Sequence, residues 1–278
     1  MRAQLATAPG TAGAENEDFA AASATAAVLL DGATTPPGHE IGCVHGVAWF
    51  ARTLGALLLA ACDDPASGSL TECLRGSISQ VRSLHGSSCD LTHPGTPTAT
   101  VVAIRVRTGT LEYLVLADSS LVLTTDAGDT EVISDRRLSE VLAGSRAALA
   151  RVPPDHPGRP AAFRAHAATV RRLRNAPGGF WVASPDPAVA EHALTGFRPL
   201  ASLRSALLLS DGVTRLTEDY GLATLAELMQ AARLEGPARL IRWVRAAEES
   251  DPDGTRWKRR KLSDDATAVY CDDLELRG

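Results

Sequence analysis

Five short acidic motifs stand in order along this chain, and three of them directly follow an apolar run. Apolar runs of this length are typical of buried strands, so each of these three motifs places a carboxylate at the rim of a core. Carboxylates gathered from distant segments repel one another unless a cation lies among them. The motifs are Glu17-Asp18, Asp31-Gly32, Asp118-Ser119, Ser210-Asp211-Gly212 and Asp264-Asp265.

The chemistry that suits this set is that of a hard-metal site. Aspartate oxygens are the ligands that Mg²⁺ and Mn²⁺ prefer, and such ions activate water for hydrolysis. A single aspartate is more often a turn residue, so the prediction depends on the ordered set and not on any one motif. We therefore predict a carboxylate-caged metal site and a metal-assisted hydrolase.

The elements that must position these motifs form an α+β pattern. Strands come in hairpins and helices are grouped in pairs between them, which predicts an α-β-β-α sandwich of two mainly antiparallel sheets flanked by helix pairs. Predicted strands cover 19–27, 26–30, 99–106, 111–117, 121–125, 132–133, 180–184, 206–210 and 266–271. Predicted helices cover 44–62, 70–84, 222–234 and 237–249, with a helical pattern over 138–177 that is broken at 153–160.

Composition indicates a globular chain with a sizeable core. Of its 278 residues, 45% are hydrophobic but only 4% aromatic, so Ala, Leu and Val must build that core. Residues 1–14 are small and polar, which predicts a flexible N-terminus. Residues 15–278 are predicted to form a single domain, with a flap segment at about 138–178.

Charge and cysteine usage argue against several classes of partner. A net charge of −5 argues against nucleic acid, and the most apolar stretch, 44–62, is interrupted by His45 and Arg52, so no membrane partner is predicted. The N-terminus lacks the apolar run of a signal peptide. Five cysteines without a Cys-x-x-Cys pair are typical of a reduced, cytoplasmic chain. The sequence gives no prediction of oligomeric state.

The ordered motifs resemble those of the metal-dependent serine/threonine protein phosphatases of the PPM family, also called type 2C. The resemblance covers roughly residues 15–273. It includes Pro97-Thr98-Ala99-Thr100, which resembles the start of the family's central hairpin, and Asp264-Asp265-Ala266-Thr267, which resembles its last motif. Each motif alone is weak, and the order of the set makes the resemblance specific.

The resemblance implies a centre of two Mn²⁺ or Mg²⁺ ions, with a weaker third, in which water held by the metals is the nucleophile and no side chain attacks. Asp31 would bridge two ions, and the Gly32 carbonyl would complete one coordination shell. The other implied ligands are Asp18 and Asp211 on one ion, Glu17 acting through water, Asp264 on the far side of the ion pair, and Asp118 on the third ion.

The chain departs from the family pattern at four positions. Many members carry a phosphate-binding Arg four residues before the first Glu, where this chain has Gly13. The second motif is followed by Ala33-Thr34-Thr35, where many members have His or a second Gly. Ala117 replaces the Gly of Gly-Asp-Ser, and Asp265 replaces the Asn of the last motif. The phosphate-binding residue and the leaving-group acid are left open, with His39 and His45 near the relevant segment.

Two further patterns have alternative interpretations. Arginines cluster around the flap segment, which indicates either a solvated helix pair or a surface that attracts phosphoprotein. His85, Cys89 and His93 recur at four-residue steps that on a helix would form a zinc-binding face, but the intervening Gly and Ser residues favour a loop. The arginines are Arg146, Arg151, Arg159, Arg164, Arg171, Arg172 and Arg174.

The functional prediction is a signalling phosphatase that hydrolyses phosphoserine and phosphothreonine in phosphorylated protein substrates. Two alternatives remain. One is a catalytically weak binding or regulatory module with the same fold, which the loss of Arg at position 13 favours. The other is a phosphatase for a small phosphorylated metabolite.

Overall fold

Two five-stranded antiparallel sheets lie at the centre of the structure, a computed structural model that describes residues 1–33, 42–153, 156–259 and 261–274. The strands are β1 (Arg2–Ala8), β2 (Phe19–Ala22), β3 (Ala26–Leu30), β4 (Val101–Arg107), β5 (Thr110–Leu116), β6 (Ser120–Thr125), β7 (Thr130–Ser134), β8 (Leu194–Pro199), β9 (Leu203–Leu209) and β10 (Ala266–Asp272). One sheet has the order β1-β10-β9-β6-β7 and the other β2-β3-β4-β5-β8.

Helices cover both outer faces of the sandwich. They are α1 (Val47–Asp63), α2 (Leu70–Leu84), α3 (Arg137–Ala150), α4 (Arg159–Leu173), α5 (Asp211–Glu218), α6 (Leu225–Glu235) and α7 (Ala238–Glu249), with short 3-10 helices at Pro187–His192 and Leu200–Ser202. The first two pack on the sheet that contains β3, and the last three on the sheet that contains β9. The predicted α+β sandwich is therefore confirmed.

Strand β3 is apolar throughout because both of its faces are buried. In β3, Ala27 and Leu29 face the core between the sheets. Their neighbours Val28 and Leu30 face the core beneath α1 and α2. Successive side chains of a strand point to opposite faces, so a strand between a sheet and a helix layer needs apolar residues at every position.

Two helices begin where the sequence carries a capping box. Ser69 begins α2, and Thr224 begins α6, each paired with a glutamate three residues later. The Thr224 Oγ1 accepts the Glu227 N–H at 3.2 Å, while the Glu227 carboxylate accepts the Thr224 N–H at 2.7 Å. This reciprocal cap satisfies two donors that the helix leaves free, which explains why α6 begins at Leu225 and not at the predicted residue 222.

The predicted flexible N-terminus is wrong for residues 2–8. They form β1, which pairs with β10 along its whole length, from Arg2 opposite Asp272 to Ala8 opposite Ala266. The Arg2 guanidinium donates to both Asp272 oxygens at 2.8 and 2.6 Å. An edge strand of small residues carries little hydrophobic signal, and its partner lies at the other end of the chain.

Three other elements differ from the prediction. The exposed edge strand β8 contains Gly and Pro and was not predicted. Residues 180–184 form only isolated bridges, including one between Ala183 and Ala99. The short helix α5 begins directly at the fourth acidic motif, where the sequence shows no long periodic pattern. Among the described residues, every helix is too short or too polar to cross a membrane.

Candidate metal centre at one end of the sandwich

The first two acidic motifs meet because of a strand hairpin. The motif with Asp18 precedes β2, and the motif with Asp31 follows β3. Phe19 pairs with Leu30 in the antiparallel register, so the residues just beyond this pair lie side by side at one end of the sheet. The hairpin therefore brings Asp18 and Asp31 together.

The other three motifs reach the same end from the second sheet. Leu209, the last residue of β9, pairs with Ala268 of β10 and with Ser120 of β6. The segments just beyond these three positions carry the remaining motifs. We call the five aspartates that converge here the carboxylate centre: Asp18, Asp31, Asp118, Asp211 and Asp264.

Electrostatic repulsion among these aspartates is centred on Asp31. Loss of solvation raises the pKa of Asp31 well above its usual value, and four neighbouring carboxylates raise it further: Asp18, Asp211, Asp118 and Asp264. Loss of solvation also raises the pKa of Asp118 to about 6, with Asp211 as the next cause. A multivalent cation would stabilise the ionised form of these neighbouring acids.

Asp18 supplies the clearest sign that this site fits a cation. The side chain is buried, and neither carboxylate oxygen has a hydrogen-bond partner among the described residues. Burial is the main cause that raises the pKa of Asp18 to about 7, and Asp265 and Asp211 add to it. The nearby hydroxyls of Thr267 and Ser210 lower this pKa in part, but neither makes a hydrogen bond of normal geometry to the carboxylate. A buried carboxylate without donors is costly, and oxygen-only ligands suit Mg²⁺ or Mn²⁺.

Asp264 differs from the other four because cations of the protein already contact it. The Arg215 Nη2 donates to Asp264 Oδ2 at 2.7 Å, and the Lys261 Nζ to Oδ1 at 2.5 Å. Neither basic residue was predicted from the sequence to lie at this site. The only available signal was the position of Lys261, three residues before the motif.

The second aspartate of the last motif holds the first motif in place. Asp265 accepts the Gly10 N–H at 2.8 Å and the Glu17 N–H at 2.7 Å. Asp265 thus fixes the backbone of the segment that carries Glu17 and Asp18. The departure from the family's Asn therefore retains a group that accepts backbone hydrogen bonds, and the predicted role of the Glu17 side chain stays a prediction.

Position 32 has room only for glycine. A Cβ at this position would lie 2.6 Å from the Glu17 carbonyl oxygen and 2.6 Å from Val47 Cγ1. Real Cβ atoms do not approach other atoms so closely, so no larger residue fits without movement of the backbone. The Gly32 carbonyl as a metal ligand remains a prediction.

A hydroxyl network fixes the backbone at Asp31. The Asp31 N–H donates to Thr100 Oγ1 at 3.2 Å, and the Thr100 N–H donates to the Asp31 carbonyl at 2.8 Å. The Thr100 hydroxyl also lies 2.6 Å from Ser119 Oγ. The sequence identifies Thr100 only as part of a motif, because its contacts with Asp31 and Ser119 join separate strands and are not visible in residue spacing.

Ala117 adopts a conformation that favours glycine. Its φ is +69°, in the left-handed region, and it is buried at the turn between β5 and β6, just before Asp118. An L-residue with a Cβ is strained there. The structure thus gives a physical reason for the family's Gly at this position and a cost for the Ala of this chain.

The helical pair α3 and α4 packs beside the carboxylate centre. Leu142 of α3 belongs to a small core with Ala117, and Arg146 lowers the pKa of Asp118 against the larger effect of burial. Two of the seven arginines bind backbone: Arg159 donates to carbonyls at the end of α3, and Arg174 donates to Pro94. Exposed arginines are Arg146, Arg151, Arg164, Arg171 and Arg172.

The candidate histidines do not join this site within the described residues. His45 contacts two cysteine sulfurs, and His39 lies outside the described residues. Gly13 has a φ of +81° and an open environment, since no heavy atom of the described residues would lie within 4 Å of a Cβ there. The structure assigns no phosphate-binding residue at that position.

Comparison with known proteins shows similarity in structure but not in sequence. No protein-family model and no curated protein matches the chain. The Mycobacterium tuberculosis serine/threonine phosphatase PstP/Ppp is 20% identical, with 98% of this chain and 97% of that chain covered and a TM-score of 0.55. A PstP catalytic domain in complex with two manganese ions gives 19% identity, coverage of 98% and 97%, and a TM-score of 0.55.

Two further phosphatases cover nearly the whole chain. The PPM Ser-Thr phosphatase MsPP from Mycobacterium smegmatis, in complex with cacodylate, is 20% identical over 98% of both chains, with a TM-score of 0.53. The serine/threonine phosphatase Stp1 from Staphylococcus aureus is 15% identical over 99% of this chain and 95% of that chain, with a TM-score of 0.53. The chain therefore has the fold of the PPM-type serine/threonine phosphatases.

Proposed function

We propose that this protein is a phosphomonoester hydrolase, dependent on Mn²⁺ or Mg²⁺, that acts on phosphoserine and phosphothreonine in proteins. The observation that carries the proposal is the buried Asp18 carboxylate, which has no hydrogen-bond partner among the described residues and lies in a group of mutually repelling acids. The fold similarity to phosphatases, one of them in complex with manganese ions, supports the same assignment.

The proposed ligands come from all five motifs. The residues that would hold the ions are Asp31, the Gly32 carbonyl, Asp18, Asp211 and Asp264, with Glu17 acting through water and Asp118 serving a weaker third ion. When bound, two such ions lower the pKa of water and stabilise the charge on the phosphoryl oxygens. The protein holds these ligands on strand ends, whose backbone is fixed by Thr100 and Asp265.

The nearest serine hydroxyl groups are buried and hydrogen-bonded, which agrees with water as the nucleophile. The buried Ser119 hydroxyl is 2.6 Å from the Thr100 hydroxyl. The buried Ser210 Oγ accepts the Thr267 N–H at 2.9 Å. Both side chains are fully buried and already hydrogen-bonded, so neither is available to attack a phosphate, and nucleophilic catalysis by serine would require both to be released.

A catalytically weak module with the same fold is the second candidate. Asp264 is already paired with Arg215 and Lys261, so part of the negative charge is balanced without a metal. A bound ion would compete with both basic side chains for this carboxylate. Such a module would bind phosphoprotein and turn it over slowly or not at all.

The surface beside the carboxylate centre supports the proposed substrate class. Exposed arginines of α3 and α4 form a basic surface in a chain with net charge −5, and basic side chains favour acidic phosphopeptides over neutral small esters. A small-metabolite phosphatase would not need this surface. The five cysteines are all free, which supports the proposed cytoplasmic location of a signalling phosphatase.

The experiment is a hydrolysis assay on p-nitrophenyl phosphate and on a phosphothreonine peptide. We expect turnover with added Mn²⁺ or Mg²⁺, none with chelator, and restored turnover when the metal is returned. Full activity in EDTA would show that the mechanism is wrong. Binding of the phosphopeptide with no turnover under any metal would favour the weak module, and turnover of small phosphate esters without phosphopeptide activity would favour a metabolite phosphatase.

A further inference from the structure

Four soft donor groups lie together in a second place in the molecule, away from the aspartates. Cys43, His45, His85 and Cys89 each offer one ligand atom, and these atoms all lie within 4.8 Å of one another. Cys43 and His45 precede α1, whereas His85 and Cys89 follow α2. We call these four residues the Cys/His cluster. His93, which the sequence pattern grouped with His85 and Cys89, is not among them.

The distances between sulfur and nitrogen atoms match the edges of a metal tetrahedron. Cys43 Sγ lies 3.5 Å from His85 Nδ1 and 3.7 Å from His45 Nδ1, and Cys89 Sγ lies 3.3 Å from His45 Nδ1. Tetrahedral Zn²⁺ with its usual bond lengths to sulfur and nitrogen separates these donors by about 3.6 Å. The donors therefore need little movement to surround one ion.

Two of the four donors are buried, and the other two, His45 and Cys89, are partly exposed. Cys43 is 5% exposed and His85 is 1% exposed. The Trp49 ring stacks on His45 with centroids 4.2 Å apart and meets His85 edge-on at 4.9 Å. Among the described residues, the His85 ring hydrogen-bonds only to Cys43, so no carboxylate or carbonyl oxygen competes for it.

The two loops that carry the donors are fixed against each other by their backbones. The Asp90 N–H donates to the Gly42 carbonyl at 2.7 Å. Gly42 has a φ of +64°, and a Cβ there would lie 2.4 Å from His93 Cβ, so only glycine permits this approach. Each loop therefore presents one cysteine and one histidine in a preset position.

We propose that the Cys/His cluster is a structural Zn²⁺ site that joins the loop before α1 to the loop after α2. Two cysteines and two histidines are a full set of ligands for a closed tetrahedral site. On binding, each thiol releases its proton to solvent, and the two thiolates neutralise the dication, which suits a buried position.

The site is distinct in chemistry from the carboxylate centre and does not depend on the proposed function. Mg²⁺ and Mn²⁺ prefer oxygen ligands, whereas thiolate and imidazole together select zinc. No ligand is shared between the two sites. A protein without phosphatase activity would still bind zinc here. A protein with phosphatase activity that binds no zinc would contradict only the zinc proposal.

The test measures metal content and coordination in the purified full chain. After dialysis against a weak chelator, we expect about one zinc ion per chain by elemental analysis. Replacement of zinc by Co²⁺ should give the visible ligand-field bands of a tetrahedral ion and the charge-transfer bands of cobalt–thiolate bonds. Competition with a chromogenic chelator should show that Cys89→Ser weakens zinc binding by at least about 100-fold, more than loss of an outer-shell partner costs.

Controls and contrary outcomes are specific to this site. His93→Asn and Cys62→Ser, which change a neighbouring histidine and a buried cysteine outside the cluster, should keep the zinc. Cys89 is half-buried, so its serine variant is the mildest ligand change, and wild-type Co²⁺ spectra need no variant at all. Wild-type protein that retains no zinc, a cobalt spectrum without thiolate bands, or a Cys43–Cys89 disulfide in place of the metal would each overturn the proposal.

Discussion

The carboxylate centre and the Cys/His cluster differ in the charge that their ligand groups carry in the absence of metal. The five aspartates repel one another, and the pKa of Asp31 is well above its usual value for that reason as well as for loss of solvation. At the Cys/His cluster, loss of solvation lowers the pKa of His85 and raises the pKa of Cys43, which favours the neutral form of both groups in the absence of metal. Loss of a bound metal from the carboxylate centre would therefore destabilise the fold through repulsion, whereas loss of zinc from the cluster would only remove a link between two loops.

The two sites also differ in how the chain presents them. The aspartates come from five segments that meet through strand register at one end of the sandwich. The Cys/His donors come from two loops, and the Trp49 ring packs against both histidines. A set of charged oxygen ligands suits exchange of substrate and water, and a full set of four protein ligands suits a permanent structural ion.

The largest expected effect comes from removing a central carboxylate. Asp31→Asn and Asp211→Asn should each lower Mn²⁺-dependent turnover of p-nitrophenyl phosphate by at least about 100-fold, because each replaces a charged metal ligand by a neutral amide. The same variants should raise the melting temperature of the metal-free protein, since one of several crowded anions is gone.

The matched control for this prediction is Asp253→Asn. Asp253 also precedes a glycine but is exposed in the loop between α7 and β10 and is not one of the proposed ligands, so turnover should stay within about twofold, as for an ordinary surface substitution. Near-normal turnover in either Asp31→Asn or Asp211→Asn would show that the ligand assignment is wrong.

Loss of the zinc brace should act on stability and spare the chemistry. We expect Cys89→Ser to lower the melting temperature of the zinc-loaded protein by about 5 °C or more, because a bound ion stabilises only the folded state. Turnover at saturating Mn²⁺ and moderate temperature should fall by no more than about threefold. A collapse of turnover with unchanged thermal stability would contradict the separation of the two sites.

A smaller effect is expected from the basic surface beside the carboxylate centre. Arg171→Ala combined with Arg172→Ala should lower kcat/KM for an acidic phosphopeptide by about 5- to 10-fold at low salt, since exposed cations attract the substrate. The effect should shrink as salt rises, and p-nitrophenyl phosphate should be unaffected. Arg174 is excluded because it donates to the Pro94 carbonyl.

An exposed arginine elsewhere provides the comparison for that variant. Arg82→Ala changes α2, the helix that leads into the Cys/His cluster, and should leave both substrates unaffected. If the double variant and the wild type have equal kinetics on several acidic phosphopeptides at low salt, the arginines of α4 are an ordinary solvated surface.

The smallest expected effect tests the strained turn beside Asp118. Ala117→Gly should stabilise the fold by about 0.5–1 kcal/mol, because relief of a left-handed alanine outweighs the added entropy of the unfolded chain. Urea unfolding of the two proteins measures the difference. A destabilised glycine variant would mean that packing of the buried Ala117 methyl group outweighs the backbone strain.

The same contrast explains how much the sequence predicts. The aspartates of the carboxylate centre are predictable because apolar strands such as β3 and β9 end directly before them, and an antiparallel register brings such ends together. The partners Arg215 and Lys261 are not predictable, because their contacts with Asp264 depend on a turn and a helix whose positions are set by tertiary packing.

The Cys/His cluster shows the limit of spacing arguments. Helical steps group His85, Cys89 and His93, but α2 ends at Leu84, so helical periodicity does not apply beyond it. The other two ligands come from before α1, and only the packing of α1 against α2 brings them near. Edge strand β1 was missed for a related reason, since its partner β10 lies at the opposite end of the chain.

The most direct test of this account is a crystal structure grown with Mn²⁺, with diffraction data collected at the manganese and zinc absorption edges. We expect manganese peaks between Asp18, Asp31, Asp211 and Asp264, and one separate zinc peak between Cys43, His45, His85 and Cys89. Saturating Mn²⁺ that leaves no peak among the aspartates, or a cluster that holds no zinc, would contradict the division into a hard catalytic centre and a soft structural one.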